Sequence, residues 1–264
     1  MAEAALVRVI HYYGGLPEIV VLGGLVPDLL CSDAEFVHAG TTDVDVQVNL
    51  EIASGSVNAA RLEQALRKAG FEPTKKDVWR WATVHGEKRM LVKFELLADD
   101  DSQPAEVVFK FKDCDDLGAV NLRGTGLASK DVVIRKLRGE VDGAERVVDV
   151  NVTGLAGFLL AKAAAARARG KPKDWYDIAF VLLHNDEGGV DAASQAVLAL
   201  FSGDLVGMRR TLDELATNFR GPDDQGASAY ATQMLIDHPD NDEQVLRADA
   251  VLAVASFHRA LFGG

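Results

Sequence analysis

The chain has 264 residues, 28 of them basic and 40 acidic, for a formal net charge of −12 with histidine neutral. A composition 48% hydrophobic and 26% charged supplies a buried core and excludes disorder, and seven Pro with 24 Gly exclude collagen-like repeats. Two cysteines, Cys31 and Cys114, are too few for a disulfide framework or a Cys-based zinc site. The first residues, MAEAALVRVIHYYGG, carry no secretory signal, and no run reaches the roughly 18 apolar residues that span a bilayer. The expectation is a soluble cytoplasmic protein without a membrane partner. Charge is unevenly spread: residues 1–60 carry net −7, 61–175 net +4 and 176–264 net −9. Phosphate contacts need clustered Lys and Arg, so only the middle third offers a basic face to a nucleic acid.

In chain order, PEIVVLGG (17–24) predicts a short buried strand entering a tight turn, and LVPDLL a short helix. TDVDVQVNL (42–50) alternates strictly, with Val44, Val46 and Val48 on one face and Asp43, Asp45 and Gln47 on the other: a strand. SVNAARLEQALRKAG (56–70) is amphipathic and stops at Gly70. WRWATV (79–84), RMLVKFELLA (89–98) and AEVVFKFK (105–112) predict three strands of an antiparallel meander, parted by HGEK and DDDSQP. Two more are expected at 131–137 and 145–152. After about residue 152 the pattern turns helical, at 154–169, 174–185, 192–202, 205–219, 227–237 and 241–262. The fold class expected is α+β: a mixed β-sheet with helices in 1–152, then an all-helical part in 153–264.

Three features carry chemistry. Gly23-Gly24 after a buried strand lets backbone approach a ligand. Asp43 and Asp45, two apart on a strand, project from one face and repel unless a cation lies between them. Mg²⁺ suits such a pair, because one or two carboxylates plus substrate phosphates hold it; an ordinary solvated strand face is the competing reading. Glu95 shares a strand face with Lys93 and Leu97. Beside 42–50 it would complete a carboxylate trio; otherwise it forms a salt bridge with Lys93 or a cross-strand base. The third feature is Lys162 followed by Arg167, Arg169, Lys171, Lys173, Asp174 and Asp177. Asp174 reads as a helix N-cap and the cations as solvated surface. Lys162, in a helix that reads as buried, needs a carboxylate or phosphate partner. The six histidines show no metal-ligand spacing and read as structural or surface residues. The 99–102 and 237–243 acidic runs read as solvated loops.

Together VLGG (21–24), TTDVDV (41–46) and KFELL (93–97) resemble the nucleotidyltransferase superfamily. LLAKAAAARARGKPKDWYDIAFVLL (159–183) resembles the K…R…KDxxD segment of its AbiEii-type members, the toxin half of abortive-infection toxin–antitoxin pairs. The resemblance covers roughly 17–184. It departs from the family pattern at Ala39, with His38 beside it, where many members carry an Arg four residues before the first Asp; in the 18 residues between Gly24 and Asp43; and in Glu rather than Asp at 95. The resemblance implies a nucleotidyltransferase-like sheet and transfer of NMP from an NTP to a hydroxyl, releasing pyrophosphate. It implies that Asp43 and Asp45, with Glu95 as third acid, bind Mg²⁺ or Mn²⁺. It further implies that Gly23, Gly24, Thr42, Lys162 and Asp177 contact the nucleotide, and that Lys162 and Asp174 reach the site from the helical part. Glu95 would alternatively accept the proton of the acceptor hydroxyl. RNA, notably a tRNA 3′ end, is the implied acceptor and a cognate antitoxin the implied partner. A small-molecule acceptor, as for antibiotic-modifying members, and a non-catalytic nucleotide-binding or interaction module are the competing readings.

Overall fold

A computed structural model describes residues 1–48, 57–74, 77–85 and 90–263. Parts of the expected segments, at 49, 50, 56 and 86–89, lie outside the described residues. Two compact units emerge: Met1–Val26 with Thr41–Thr153, and Pro27–Gly40 with Gly154–Gly264.

Unit 1 is built on a mixed sheet, nine-stranded among the described residues: β1 (Ile19–Leu22), β2 (Asp43–Val48), β3 (Glu72–Thr74), β4 (Asp77–His85), β5 (Met90–Ala98), β6 (Val108–Lys110), β7 (Gly118–Asn121), β8 (Val132–Val141) and β9 (Ala144–Thr153). The order is β3-β4-β5-β2-β1-β9-β8, with the β6–β7 hairpin joined to the end of β5. The alternation read in 42–50 decides the burial of β2. Val44 and Val46 are fully buried, and in register Val46 meets Val21 of β1 and Leu96 of β5. Helix α1 (Ala2–Tyr13) covers this apolar face; a side chain on Gly139 of β8 would press on its Val7. Helix α1 stops at Gly14, whose φ of 75° is the left-handed conformation glycine tolerates. Helix α3 (Val57–Lys68) packs against α1. A short helix α2 (Val26–Leu30) follows the 3-10 turn Gly23–Leu25.

The expected meander holds for one hairpin only. β4 and β5 pair antiparallel from Arg80↔Glu95 to His85↔Met90. β5 then lies parallel to β2 and, at its end, parallel to β7, while β6 pairs β7 and not β5. The DDDSQP segment causes the departure. Asp99 turns inward and accepts the Gly124 and Gly126 amides at 2.9 and 2.8 Å, so it is not the solvated residue expected. Asn121 holds the same loop through its side chain, bonding the Asp100 amide at 2.9 Å and the Pro104 carbonyl at 2.9 Å. Strand β6 shrinks to three residues because Glu106 adopts φ 67°, which breaks an extended run.

Unit 2 is helical: α4 (Leu155–Arg169), α5 (Pro172–His184), α6 (Gly189–Phe201), α7 (Leu205–Thr217), α8 (Gln225–Asp237) and α9 (Glu243–Phe262). Each falls within a few residues of its expected range. Gly170, at φ 59°, ends α4, and Pro172 opens α5 with Lys171 at the N-cap. Asp174 is therefore inside the first turn of α5 rather than at its N-cap, a correction forced by proline's fixed φ. Among the described residues no helix is long and apolar enough to cross a membrane.

Candidate functional site

The residues singled out from the sequence fall into two groups, one in each unit. In unit 1 the ladders arrange one sheet face as a grid. Asp43 is opposite Lys93, Asp45 opposite Glu95 and Gln47 opposite Leu97; across β5, Glu95 is opposite Arg80 and Lys93 opposite Ala82. Two carboxylates directly opposite each other repel, so Asp45 and Glu95 need compensating charge. Arg80 Nε lies 2.7 Å from Glu95 Oε1, and the guanidinium stacks 4.2 Å over the Trp79 ring. Lys93 Nζ lies 3.3 Å from Asp43 Oδ1. The cross-strand salt bridge weighed for Glu95 is present, and Lys93 serves Asp43 instead.

Asp43 is further fixed by its own amide, which donates to Thr41 Oγ1 at 3.0 Å. Thr42 lies between them, its carbonyl accepting the Lys93 amide at 3.1 Å. On the neighbouring strand, β1 ends in Gly23 and Gly24. Gly23 adopts φ 78°, and a Cβ built there would collide with Asp45 Oδ2. Glycine is demanded twice at this position, by its backbone conformation and by the carboxylate lying against it. The buried Gly24 continues the 3-10 turn.

Among the described residues no three His, Cys, Asp or Glu side chains stand together as a ready metal site. The donor chemistry of Asp43 and Asp45 still suits Mg²⁺, a hard ion commonly held by two carboxylates and completed by phosphate and water oxygens. Compared with family models, curated proteins and solved structures, the chain matches none.

The unit 2 group is a buried ionic cluster. Lys162, 6% exposed, lies 2.7 Å from Asp177 Oδ2 and 3.2 Å from Asp174 Oδ1. Arg169 grips Asp174 with Nε and Nη2, both at 2.7 Å. Lys173 donates to the Gly40 carbonyl at 2.6 Å. Arg167 turns to Glu214 at 2.7 Å, so these cations are engaged rather than simply solvated. Burial alone would lower the Lys162 pKa, but the Asp177 and Asp174 charges more than reverse that and raise it. Burial likewise works against an ionised Asp177; Lys162 and His38 outweigh it and hold the carboxyl at about 2.

Sequence reading set aside His38, which joins this cluster. His38 is buried, with Nε2 2.9 Å from Asp177 Oδ1 and Nδ1 3.6 Å from Asp28 Oδ1. The Gly40 amide donates into Nδ1 at 3.1 Å, which puts the proton of the neutral ring on Nε2, facing Asp177. The ring stacks on Tyr176, whose hydroxyl accepts the Ala39 amide at 3.0 Å. Asp186, two residues past the end of α5, accepts the Ser32 and Asp33 amides at 2.9 Å each. Segment 27–40 is thus clamped to α5 by carboxylates. A histidine between Val37 and Ala39 gave no sequence signal of this, because its partner Asp177 is 139 residues away.

Proposed function

We propose that the chain is a metal-dependent nucleotidyltransferase that moves NMP from an NTP to a hydroxyl acceptor, with an RNA end as acceptor and a toxin-like role. The observation that carries this reading is the packing of Gly23 against Asp45. It puts a glycine turn, able to admit a phosphate chain to the backbone, directly beside the Asp43–Asp45 carboxylates. Asp43 and Asp45 would hold Mg²⁺, which when bound neutralises phosphate charge that would otherwise repel the attacking oxygen. The reaction forms a bond from the acceptor oxygen to the α-phosphorus and breaks the bond to pyrophosphate, which leaves with the bonding electron pair; the hydroxyl proton passes to solvent water.

In this reading Asp43 would turn from Lys93 to the metal, and the Lys93 ammonium, 3.3 Å from Asp43 Oδ1, would meet a phosphate oxygen. Glu95, held by Arg80, orients that guanidinium toward the same face rather than joining the metal. Lys162, to which the resemblance gives a triphosphate contact, is neutralised by two buried carboxylates, so the proposal rests on unit 1. The same two ion pairs, Lys93–Asp43 and Arg80–Glu95, favour the second reading, a non-catalytic module in which they are permanent cross-strand links.

Incubation with each α-labelled NTP, Mg²⁺ and total RNA separates the two. Label should enter RNA with the wild-type protein and be lost with Asp45→Ala. Equal labelling by the variant removes the metal assignment. Nucleotide binding without transfer to RNA moves the acceptor to a small molecule, and absence of binding leaves the non-catalytic module.

A further inference from the structure

Gln47 follows Asp45 by two residues on β2, so its side chain stands on the same sheet face as Asp43 and Asp45. It is 6% exposed, and its Oε1 is buried without a hydrogen-bond partner. Its neighbours in register are Val20 on β1 and Leu97 on β5, whose side chains have no donor to offer. Strand ladders occupy the main-chain amides around it. A buried carbonyl oxygen without a donor destabilises the ligand-free protein, and an aliphatic residue such as its neighbours would remove that cost. An orphan acceptor beside a candidate site is accounted for when a ligand brings the donor.

We propose that Gln47 is part of the ligand-binding floor of unit 1, its Oε1 accepting a hydrogen bond from an N–H or O–H of the nucleoside. This inference rests on the nucleotidyltransferase reading. The donor belongs to the sugar or the base, because a metal-bound triphosphate at neutral pH presents oxygen acceptors alone. Gln47 is then a specificity-determining residue: a buried acceptor discriminates strongly against a ligand lacking the matching donor, and an apolar wall does not.

The test uses the full chain with Gln47→Leu, Gln47→Met as a second aliphatic variant, and Asp45→Ala as control. Thermal unfolding is recorded without ligand, and binding of each NTP and its 2′-deoxy counterpart is measured in Mg²⁺ by calorimetry. Both Gln47 variants should unfold at or above the wild-type temperature, yet bind the preferred NTP at least tenfold more weakly. A ribose donor predicts that wild type disfavours the deoxynucleotides and the variants do not. A base donor predicts that preference among the four bases collapses instead. Wild-type affinity and selectivity in Gln47→Leu and Gln47→Met overturn the proposal while Asp45→Ala, if it loses binding, keeps the site. Weakened Mn²⁺ binding by the Gln47 variants in the absence of nucleotide would put Oε1 on the metal and also overturn it. Unchanged binding by Asp45→Ala, or no binding by wild type, removes the reading of the site itself.

Discussion

Gly23 joins backbone conformation to chemistry at a single residue. Its left-handed φ costs an ordinary side chain about 1–2 kcal/mol, and an added methyl group would also push Asp45 off its present position. Gly23→Ala should therefore lower the unfolding midpoint in urea by an amount equivalent to at least about 1 kcal/mol and reduce Mn²⁺ or Mg-NTP affinity as well. A variant that loses stability yet binds metal and nucleotide normally would separate the turn from the carboxylate. The residue scale also shows the limit of pattern reading. The Gly pair and the Asp-x-Asp were legible because each is local in sequence. The choice of Arg80 by Glu95 and of Asp43 by Lys93 was not, because strand register made it.

At the scale of elements, α4 and α5 are joined by charge as well as by packing. Lys162 is the buried cation between Asp174 and Asp177, with Arg169 closing the cluster from the α4 end. Removing one partner of a buried ion pair strands the others in a medium that solvates them poorly. Lys162→Met should destabilise unit 2 by about 3–5 kcal/mol, read as a shift in its denaturation midpoint. Adding Asp177→Asn should restore part of the loss, because it removes one stranded charge. A near-neutral Lys162→Met would mean that water reaches the cluster. The helices themselves were legible from amphipathic runs and their Gly and Pro ends. The clamp that segment 27–40 forms on α5, through His38–Asp177 and Ser32–Asp186, brings together residues more than 130 positions apart and leaves no periodic trace.

At the scale of the whole molecule, stability should depend on pH through three groups with different signs, the buried His38 and Asp177 and the half-buried His184. Burial lowers the His184 pKa to about 4, and its Nε2 meets the Tyr230 hydroxyl at 3.0 Å. The unfolded chain then binds a proton that the folded chain refuses, so stability falls as pH drops from 6.5 toward 4. Burial would also lower His38, but its hydrogen bond to Asp177 and the neighbouring Asp28 carboxylate raise it overall. Its contribution is fully present below 6.5 and fades as pH rises through the raised folded value. Asp177, held at about 2, contributes above its ordinary 3.8 and loses that contribution as pH falls toward 2. Unfolding midpoints across pH 2–8 should show the His38 limb above 6.5, the His184 limb between 6.5 and 4, and the Asp177 limb below 3.8. His184→Phe should flatten the decline between 6.5 and 4, and His38→Asn the decline above 6.5. A profile unchanged by His184→Phe would assign the acid limb to the carboxylates alone.

By itself the sequence determined the α+β division, the alternating strand of Asp43 and Asp45, the glycine turn before it and the helical run after 154, because propensity, periodicity and glycine or proline punctuation act over a few residues. Tertiary structure alone decided the order and direction of the strands, the cations facing Asp43 and Glu95, and the burial of His38. It also stranded the Gln47 oxygen without a donor. Each of these depends on which distant segments become neighbours, and that is set by burying the whole apolar face of a sheet at once.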